Sequence, residues 1–339
     1  CSRDWSSDVC SSDLDSDKGI SATVASLSVA VGAGAGNGIG ASIGVAVAKN
    51  VIGRPGYGAT GDSAVATIRA QVVDSDLTLG GALDLQARGR QTIDALVLSG
   101  SAALAGGAGN GLAGSLSGVF AFNEIGTQID AGVVTLKPLG SRPSDIQASE
   151  ISIWARDVSV IQSFAGSVSV AAALGGSVGG ALSIGASVAR NLIDVDVHAG
   201  LQGAVVRTPG LISVQGYSEA RIDAFGLAAS AAIGLGGSAG VGISGAGAGA
   251  HNIILGATRA DVVDSDVEAG GTVTVAADAR NRIDAVIISA SIGVGVGGAA
   301  GVGASIGVSV ARNDIGYNPL TWEGTADFTS GVDNPASMS

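Results

Sequence analysis

The sequence has few aromatic and few charged residues. Aromatic side chains make up 3% of its 339 residues and charged side chains 14%. The chain therefore lacks the rings that usually help to fill a core, yet a hydrophobic content of 46% is too high for a disordered polypeptide. The balance of charge is acidic, with a net charge of −12. An acidic surface repels phosphate backbones, so we expect no nucleic-acid partner.

Cysteine is scarce as well, because Cys1 and Cys10 are the only two. Both lie within residues 1–14, where the stretch "DWSSDVCSSDL" resembles a sequencing adapter translated in frame. We therefore exclude 1–14 from fold reasoning, which removes one Arg and three Asp, changes the net charge from −12 to −10 and leaves no disulfide framework. Such a start also implies that the chain begins inside a longer gene, so a missing signal peptide says nothing about export.

Glycine is abundant, at 56 residues, and it falls within an internal repeat. In each of five units an Ile is followed thirty residues later by an Asn, and two residues after that by another Ile. The units that we predict are 20–92, 93–160, 161–221, 222–282 and an incomplete 283–316, and 317–339 is a divergent loop or a frayed end. The Ile and Asn pairs are Ile20 and Asn50, Ile93 and Asn123, Ile161 and Asn191, Ile222 and Asn252, and Ile283 and Asn313.

The thirty-residue block alternates small and bulky residues with a period of two. In the third unit every even position, counted from Ile161, is Gly, Ala or Ser, whereas Val168, Val170 and Leu174 occupy odd positions. This period is typical of β-strands. A charge-free run such as 285–311 is long enough for a membrane-spanning helix, but strict alternation and the cost of Gly in helices weigh against one. We expect the Val/Ile/Leu face to be buried and the small face to let a second layer approach closely.

The block also has mirror symmetry about its centre. Positions 8 and 22 are Ser in all five units, and glycine-rich residues lie between them, which indicates a tight reversal. A hairpin would pair positions that sum to thirty, so that Asp223 faces His251 and Asp284 faces Arg312. Whether the two halves form a hairpin or successive strands of a solenoid stays open at this stage.

The connectors between blocks repeat too. We predict one short strand per unit from Leu83 and Leu85 and from the equivalent pairs of later units. The sequence "VVDSD" at 72–76 and 262–266 is typical of turns. The predicted fold is all-β: an elongated β-solenoid-like stack of repeats, each with a long Gly/Ala/Ser-rich β-hairpin block plus a short strand. The repeated Asn residues would form a ladder of stacked amides, with a line of ligand-binding amides as the alternative.

The sequence offers little that points to chemistry. His198 and His251 are the only histidines and have no spacing that suggests zinc, and no Ser, His and Asp set predicts a triad. Paired carboxylates on the VVDSD turns would suit calcium, but the nonapeptide of calcium-binding β-rolls is absent, so solvated acidic turns explain them better: Asp74, Asp76, Asp264 and Asp266. We therefore predict no enzyme, no catalytic, cofactor-binding or metal-binding residues, and no cofactor.

The alternation "IDAVIISASIGVGVGGAAGVGASIGVSVARNDIG", together with "VVDSDVEAGGTVTVAADARNRIDA", resembles the repeat region of large bacterial exoproteins. These are the filamentous haemagglutinin-like and leukotoxin-like filamentous adhesins, and the resemblance covers about Ile20 to Gly316. It implies an extracellular or outer-membrane-surface β-solenoid of a Gram-negative cell, acting as a stalk or adhesive fibre.

Several partners and functions are compatible with this resemblance. The ligand of such a fibre would be a glycan or protein on a host or bacterial surface, with self-association through repeat edges as a further expectation. A membrane-active β-hairpin pore or cytolysin segment is the first alternative, because the strands are long enough to cross a bilayer. A polysaccharide-acting β-helix is the second alternative.

Overall fold

The computed structural model describes residues 10–53, 65–136 and 143–316, and all of their regular structure is β. Sixteen strands follow one another along the chain. The fold class predicted from the sequence is confirmed, whereas the predicted divergent end at 317–339 lies outside the described residues. The strands are β1 (Cys10–Gly34), β2 (Asn37–Ile52), β3 (Ala66–Val73), β4 (Leu77–Thr78), β5 (Leu83–Gly107), β6 (Asn110–Val134), β7 (Ser144–Gln147), β8 (Ile151–Gly175), β9 (Val178–Gln202), β10 (Ala204–Thr208), β11 (Ile212–Gly236), β12 (Ala239–Leu255), β13 (Thr258–Val263), β14 (Asp266–Ala269), β15 (Val273–Gly297) and β16 (Ala300–Ile315).

The strands form three parallel sheets. The first sheet has the order β1-β5-β8-β11-β15, and the second has the order β2-β6-β9-β12-β16, with β3 added beside β6 and β13 beside β9. The third sheet, β4-β7-β10-β14, is short. One coil passes through the first, second and third sheets in turn before the next coil begins. The chain is therefore a β-solenoid, in which each repeat pairs with the equivalent strands of its neighbours.

The register of the sheets matches the repeat alignment. Ile20 pairs with Ile93, Ile93 with Ile161, and Ile222 with both Ile161 and Ile283. Each block reverses direction where its glycine-rich centre predicts, between the first and second sheets.

Outside the blocks, Cys10 to Leu14 continue β1 in register with Leu83 to Ala87. Cys10 is buried and disulfide-bonded there, which the sequence analysis, having set both cysteines aside, does not predict.

The two halves of a block are successive solenoid strands, which answers the question left open by the sequence. They belong to different sheets that face each other, so no backbone ladder joins them. Positions summing to thirty do meet, but through side chains across the interior: Ser115 Oγ donates to Ser101 Oγ at 2.8 Å, and Ser183 Oγ donates to Ser169 Oγ at 2.9 Å. Because coils lie one above another, these serines form a continuous hydrogen-bonded row through the stack.

The predicted acid–base pairs at the open end of the block are wrong. Asp284 pairs with Arg282 at 2.6 Å on its own strand, and Arg312 pairs with Asp314 at 2.9 Å on its own strand. Odd positions of the two strands point outward from opposite sheets, so Asp284 and Arg312 lie on opposite surfaces.

The predicted short strand is also misplaced. Leu83 and Leu85 belong to the 25-residue strand β5, whose alternation runs unbroken into the block. The short strand of each unit is instead the member of the third sheet, of two to five residues: β4, β7, β10 and β14.

The interior differs between two halves of each coil, which we call the base and the arm. In the base, the third sheet closes a three-sided core of large side chains, among them Leu83, Ile93, Ile125 and Ile146. The arm comprises residues 22–48 and their equivalents, where only the first and second sheets face each other. Away from the base, its interior clusters of buried hydrophobic residues contain alanine alone.

The small face of the arm points inward and the bulky face points outward, so the expected burial of the Val/Ile/Leu face is wrong. A Cβ added at Gly32 would lie 1.8 Å from the backbone oxygen of Ile39 on the opposite sheet, and one at Gly242 would lie 2.1 Å from that of Val294. Two sheets this close leave no room for branched side chains between them except near the base, where Val97 and Val119 are fully buried. Consequently Val294 and Val308, which a flat hairpin would place on one face, lie on the opposite outer faces of the double layer.

The predicted asparagine ladder is confirmed as a structural element. Asn50, Asn123, Asn191 and Asn252 are buried, and each Nδ2 donates to the Oδ1 of the next amide in the stack at 2.7–2.8 Å, ending on Asn313. The amides satisfy one another at the boundary between arm and base, which favours a structural role over ligand binding.

Candidate interaction surface

The acidic turns singled out by the sequence hold neighbouring coils together. Asp74 and Asp264 take a left-handed backbone conformation, with φ of 47° and 49°. The Oδ1 of Asp74 accepts a hydrogen bond from the backbone N–H of Leu136 at 2.8 Å, and that of Asp76 accepts one from Asp145 at 2.9 Å. In the described parts of the chain, no three His, Cys, Asp or Glu residues are grouped so that they could hold a metal ion.

The two histidines lie on different strands and have separate partners. His198 Nε2 is 3.0 Å from Asp261, and His251 Nε2 is 3.1 Å from Asp314. Each partner belongs to the following coil, so both pairs connect coils across the stack.

A buried carboxylate in the base was missed by sequence reasoning. Asp157 points into the core of β8 with no exposed surface, and its Oδ1 accepts a hydrogen bond from Ser159 at 3.0 Å. Burial raises the pKa of this carboxyl from 3.8 to about 7, against the lowering effect of the hydrogen bonds from Ser159 and Val158. The signal was available, since Asp157 occupies an inward position of a strand whose other inward residues are apolar or small.

An arginine–aromatic cluster on the outer side of the base was missed as well. The guanidinium of Arg88 lies 5.3 Å from the Trp154 ring, and that of Arg156 lies 5.7 Å from Trp154 and 5.2 Å from Tyr217. The contacts of Arg88 with Trp154 and of Arg156 with Tyr217 join neighbouring coils. Cation–π pairs at exposed sites contribute about 0.5–1 kcal/mol each.

The largest unexplained feature is the outer surface of the arm. We call the outward side of the first sheet face A and that of the second sheet face B, both over the arm. Each face includes the row of residues at the boundary between arm and base. The exposed large side chains of face A are Leu27, Val29, Val31, Leu96, Leu98, Leu104, Val168, Val170, Leu174, Ile233, Val286, Ile288, Ile292, Val294 and Val296. Those of face B are Ile39, Ile43, Val45, Val47, Leu112, Leu116, Phe120, Phe122, Val178, Leu182, Ile184, Val188, Ile243, Val302, Ile306, Val308 and Val310.

Neither face carries a charge within the arm. The five segments contain no Asp, Glu, Lys or Arg over 27 residues each: 22–48, 95–121, 163–189, 224–250 and 285–311. Charged residues begin at the arm–base boundary, with Asp94 and Asp223 beside face A and Lys49 and Arg190 beside face B. The arm is thus an uncharged double layer bounded on one side by a charged band.

The size of each face sets it apart from the scattered apolar residues of ordinary surfaces. With a rise of about 3.3 Å per residue and about 4.8 Å between strands, a segment of 13 residues on each of five strands covers roughly 43 by 24 Å, or about 1,000 Å². Contiguous apolar patches on monomeric proteins rarely exceed a few hundred Å² and often mark contact sites. Chemically such a face can exclude water against another apolar surface, but it offers no acid, base or nucleophile.

The fold and this surface together define a class of protein: a β-solenoid with an uncharged aliphatic arm. Family models, curated proteins and solved structures all give no significant match to the chain. Among the described residues, no helix is long and apolar enough to span a membrane.

Proposed function

We propose that the chain is a structural and adhesive segment of a giant secreted or cell-surface repeat protein, a stalk or fibre that mediates cell adhesion. One observation carries the proposal: the arm turns its aliphatic side chains outward on two broad faces. The extracellular or outer-membrane-surface location follows from the resemblance of the repeats to filamentous exoproteins. The geometry adds the means of adhesion, which is apolar contact with a glycan or protein surface that presents little charge.

The repeat architecture suits a fibre for a physical reason. Each coil is held by its neighbours through backbone ladders, the asparagine ladder and the serine row, so stability grows with every added repeat. Each added repeat also extends both faces. Many weak apolar contacts along a stalk then add up to firm attachment without a dedicated pocket.

A membrane-active segment is the second candidate, and the charge-free arm is the observation in its favour. The arm is about 43 Å long, which exceeds the roughly 30 Å of a bilayer's hydrocarbon core. Against it, the small inner faces of the two sheets pack on each other, which does not favour a pore.

The proposal predicts adhesion to apolar surfaces that depends on face A. Beads coated with the chain should be retained in flow on octyl-coated glass and released from hydrophilic glass. Replacing Leu98, Val168 and Val170 together by Thr should reduce retention at least roughly tenfold, because three contacts of about 0.5 kcal/mol each sum to about 1.5 kcal/mol and a tenfold change corresponds to about 1.4 kcal/mol.

The matched control places hydroxyls on the same face without removing bulk, as Ala102→Thr, Ala172→Thr and Ala229→Thr. We expect retention with this triple variant to match the parent. Equal retention by both triple variants, or release of dye from liposomes by a chain that does not hold beads, would contradict the adhesive role. The second result would favour the membrane-active one.

A further inference from the structure

We propose that two copies of this chain pair through face B, around a two-fold axis parallel to the stacking direction. This builds on the fibre role proposed above, but it concerns a different face from the adhesive one. In such a pair the strands of the two copies run antiparallel across the contact, and their stacks point the same way. Every coil of one copy then meets the equivalent coil of the other.

The size of the face is sufficient for a stable contact. Face B covers about 1,000 Å² per copy for five coils, compared with about 800 Å² per partner in stable complexes. Each further coil would add about 200 Å². Because the arm has no charge, the contact can form without desolvating an ion over most of its area.

Face B consists of seven rows, with one outward residue per strand in each row. The strand register places these residues side by side, and the middle row is Ile43, Leu116, Ile184, Gly245 and Ile306. Suppose that the two-fold axis passes along this middle row. On each strand, the residue two positions before the middle row then faces, on the second copy, the residue two positions after the middle row. The residues four positions before and after the middle row face each other in the same way.

This rule pairs a large residue with a small one in six of its ten pairs, and the outer pairs of β2 and β16, Ile39 with Val47 and Val302 with Val310, set two branched residues against each other. On β12, Ile243 would face Gly247 of the second copy, and Val241 would face Gly249. The same holds for Leu182 with Ala186 and Gly180 with Val188 on β9, for Ala41 with Val45 on β2, and for Ala304 with Val308 on β16. Such interdigitation is what a dry contact between two sheets requires.

Strand β6 is the one strand without any pair of a large and a small residue. There Leu112 would face Phe120, while Gly114 would face Gly118 and leave a gap. The ring of Phe120 already leans over Gly118, since a Cβ at Gly118 would lie 3.8 Å from its Cε2 atom. The ring can therefore fill the gap between the glycines.

Electrostatics selects both the axis and the face. The row of face B next to the base contains Lys49, Arg190, His251 and Arg312. The proposed axis sets this row against the uncharged row at the tip, whereas an axis parallel to the strands would set cations against cations. On face A the corresponding row holds short carboxylates such as Asp223, and the same kind of axis would bury Asp223 against Leu235 of the second copy. The long basic side chains of face B can instead extend from the contact to water.

The first test fills a position that is open in a single copy. A Cβ at Gly247 meets nothing within 4 Å, and the same is true at Gly106 on face A. Gly247→Ile therefore leaves the coil intact but collides with Ile243 of the second copy. We expect the dimer dissociation constant, measured by sedimentation over a concentration series, to rise at least about tenfold. Gly106→Ile should leave it unchanged.

The second test reads the direction of the axis by oxidative cross-linking, with products located by peptide mass spectrometry. Leu116→Cys lies on the axis and should cross-link to itself. Leu112→Cys alone should not, but should cross-link when mixed with Phe120→Cys. These results together would support the pairing.

Four results would overturn the pairing. They are a chain that stays monomeric at every concentration, equal dissociation constants for both isoleucine variants and the parent, self-cross-linking of Leu112→Cys without that of Leu116→Cys, and flotation with phosphatidylcholine vesicles in place of dimer formation. The bead assay uses face A, so loss of pairing with retained adhesion would sink this inference alone.

Discussion

At Asp157 the stack buries a carboxylate where its neighbours on the strand are apolar or small. The side chain lies between Gly89 and Ser218 in the sheet, and its second oxygen has no hydrogen-bond partner. Gln91 lies nearby, with its side-chain oxygen 2.9 Å from Ser159 Oγ, and its amide nitrogen has no partner either. Since burial disfavours the charged form, folding favours protonated Asp157.

This predicts a pH dependence of stability with a definite sign. The pKa of Asp157 is 3.8 in an ordinary environment and about 7 in the fold. Between those values the unfolded chain loses the proton and the fold keeps it, so the free energy of unfolding falls with rising pH, by about 4 kcal/mol in all. Asp157→Asn should thus stabilise the chain at pH 8 but not at pH 4, as measured by urea unfolding.

Asp94→Asn is the control, because Asp94 is exposed on the outer side of the same sheet. We expect its effect to be small at both values of pH. A gain from Asp157→Asn that is the same at pH 4 and pH 8 would show that the substitution acts by packing rather than by removing a titrating group.

The element scale shows how much of the fold the sequence could predict. The alternation of small and bulky residues predicted strands, because a period of two can be recognised within a short segment. The spacing of the repeats predicted the register, because equivalent residues of successive repeats pair with each other, and the glycine-rich centre of each block predicted the reversal. The strands of the third sheet escaped notice, since two to five residues are too few to show a period. Asp157 and the cluster around Trp154 were missed because the alignment was read for what repeats, and these residues do not.

The orientation of the arm could not be read from alternation alone. A period of two shows that a strand has two faces, but which one points inward depends on what lies opposite. Here a second small face lies opposite, so the two sheets close on glycine, alanine and serine. The candidate surface was therefore visible in the sequence as residues such as Val308, but it was assigned to the interior.

Whole coils should be removable as units. Ile222 pairs with both Ile161 and Ile283, so deleting 222–282 brings Ile283 into register beside Ile161 without breaking a strand. We expect the shortened chain to keep the circular dichroism spectrum of β structure and a cooperative unfolding transition. Deleting 222–252 would join a strand of the first sheet to a position in the second, and we expect that chain to be insoluble or unfolded. Equal behaviour of the two deletions would contradict the stacked-coil architecture.

At the scale of the whole molecule, the described chain is a slab with a charged base and an uncharged arm. A strand of 25 residues is about 80 Å long, whereas five stacked coils measure only about 24 Å. The small interior makes the arm thin, and the outward aliphatic residues make both of its faces apolar. In the arm the small residues point inward and the bulky aliphatic residues point outward, which is the inverse of the usual arrangement. The proposed adhesion by face A and the proposed pairing by face B both depend on this inversion.

Cysteine labelling on β8 tests the inversion most directly. Val168 is 45% exposed on face A, and its neighbour Ser169 is fully buried between the sheets. In native buffer, Val168→Cys should react quickly with a maleimide and Ser169→Cys slowly, with labelling located by peptide mass spectrometry, and in urea both should react alike. Rapid labelling at Ser169→Cys together with protection at Val168→Cys would contradict the account.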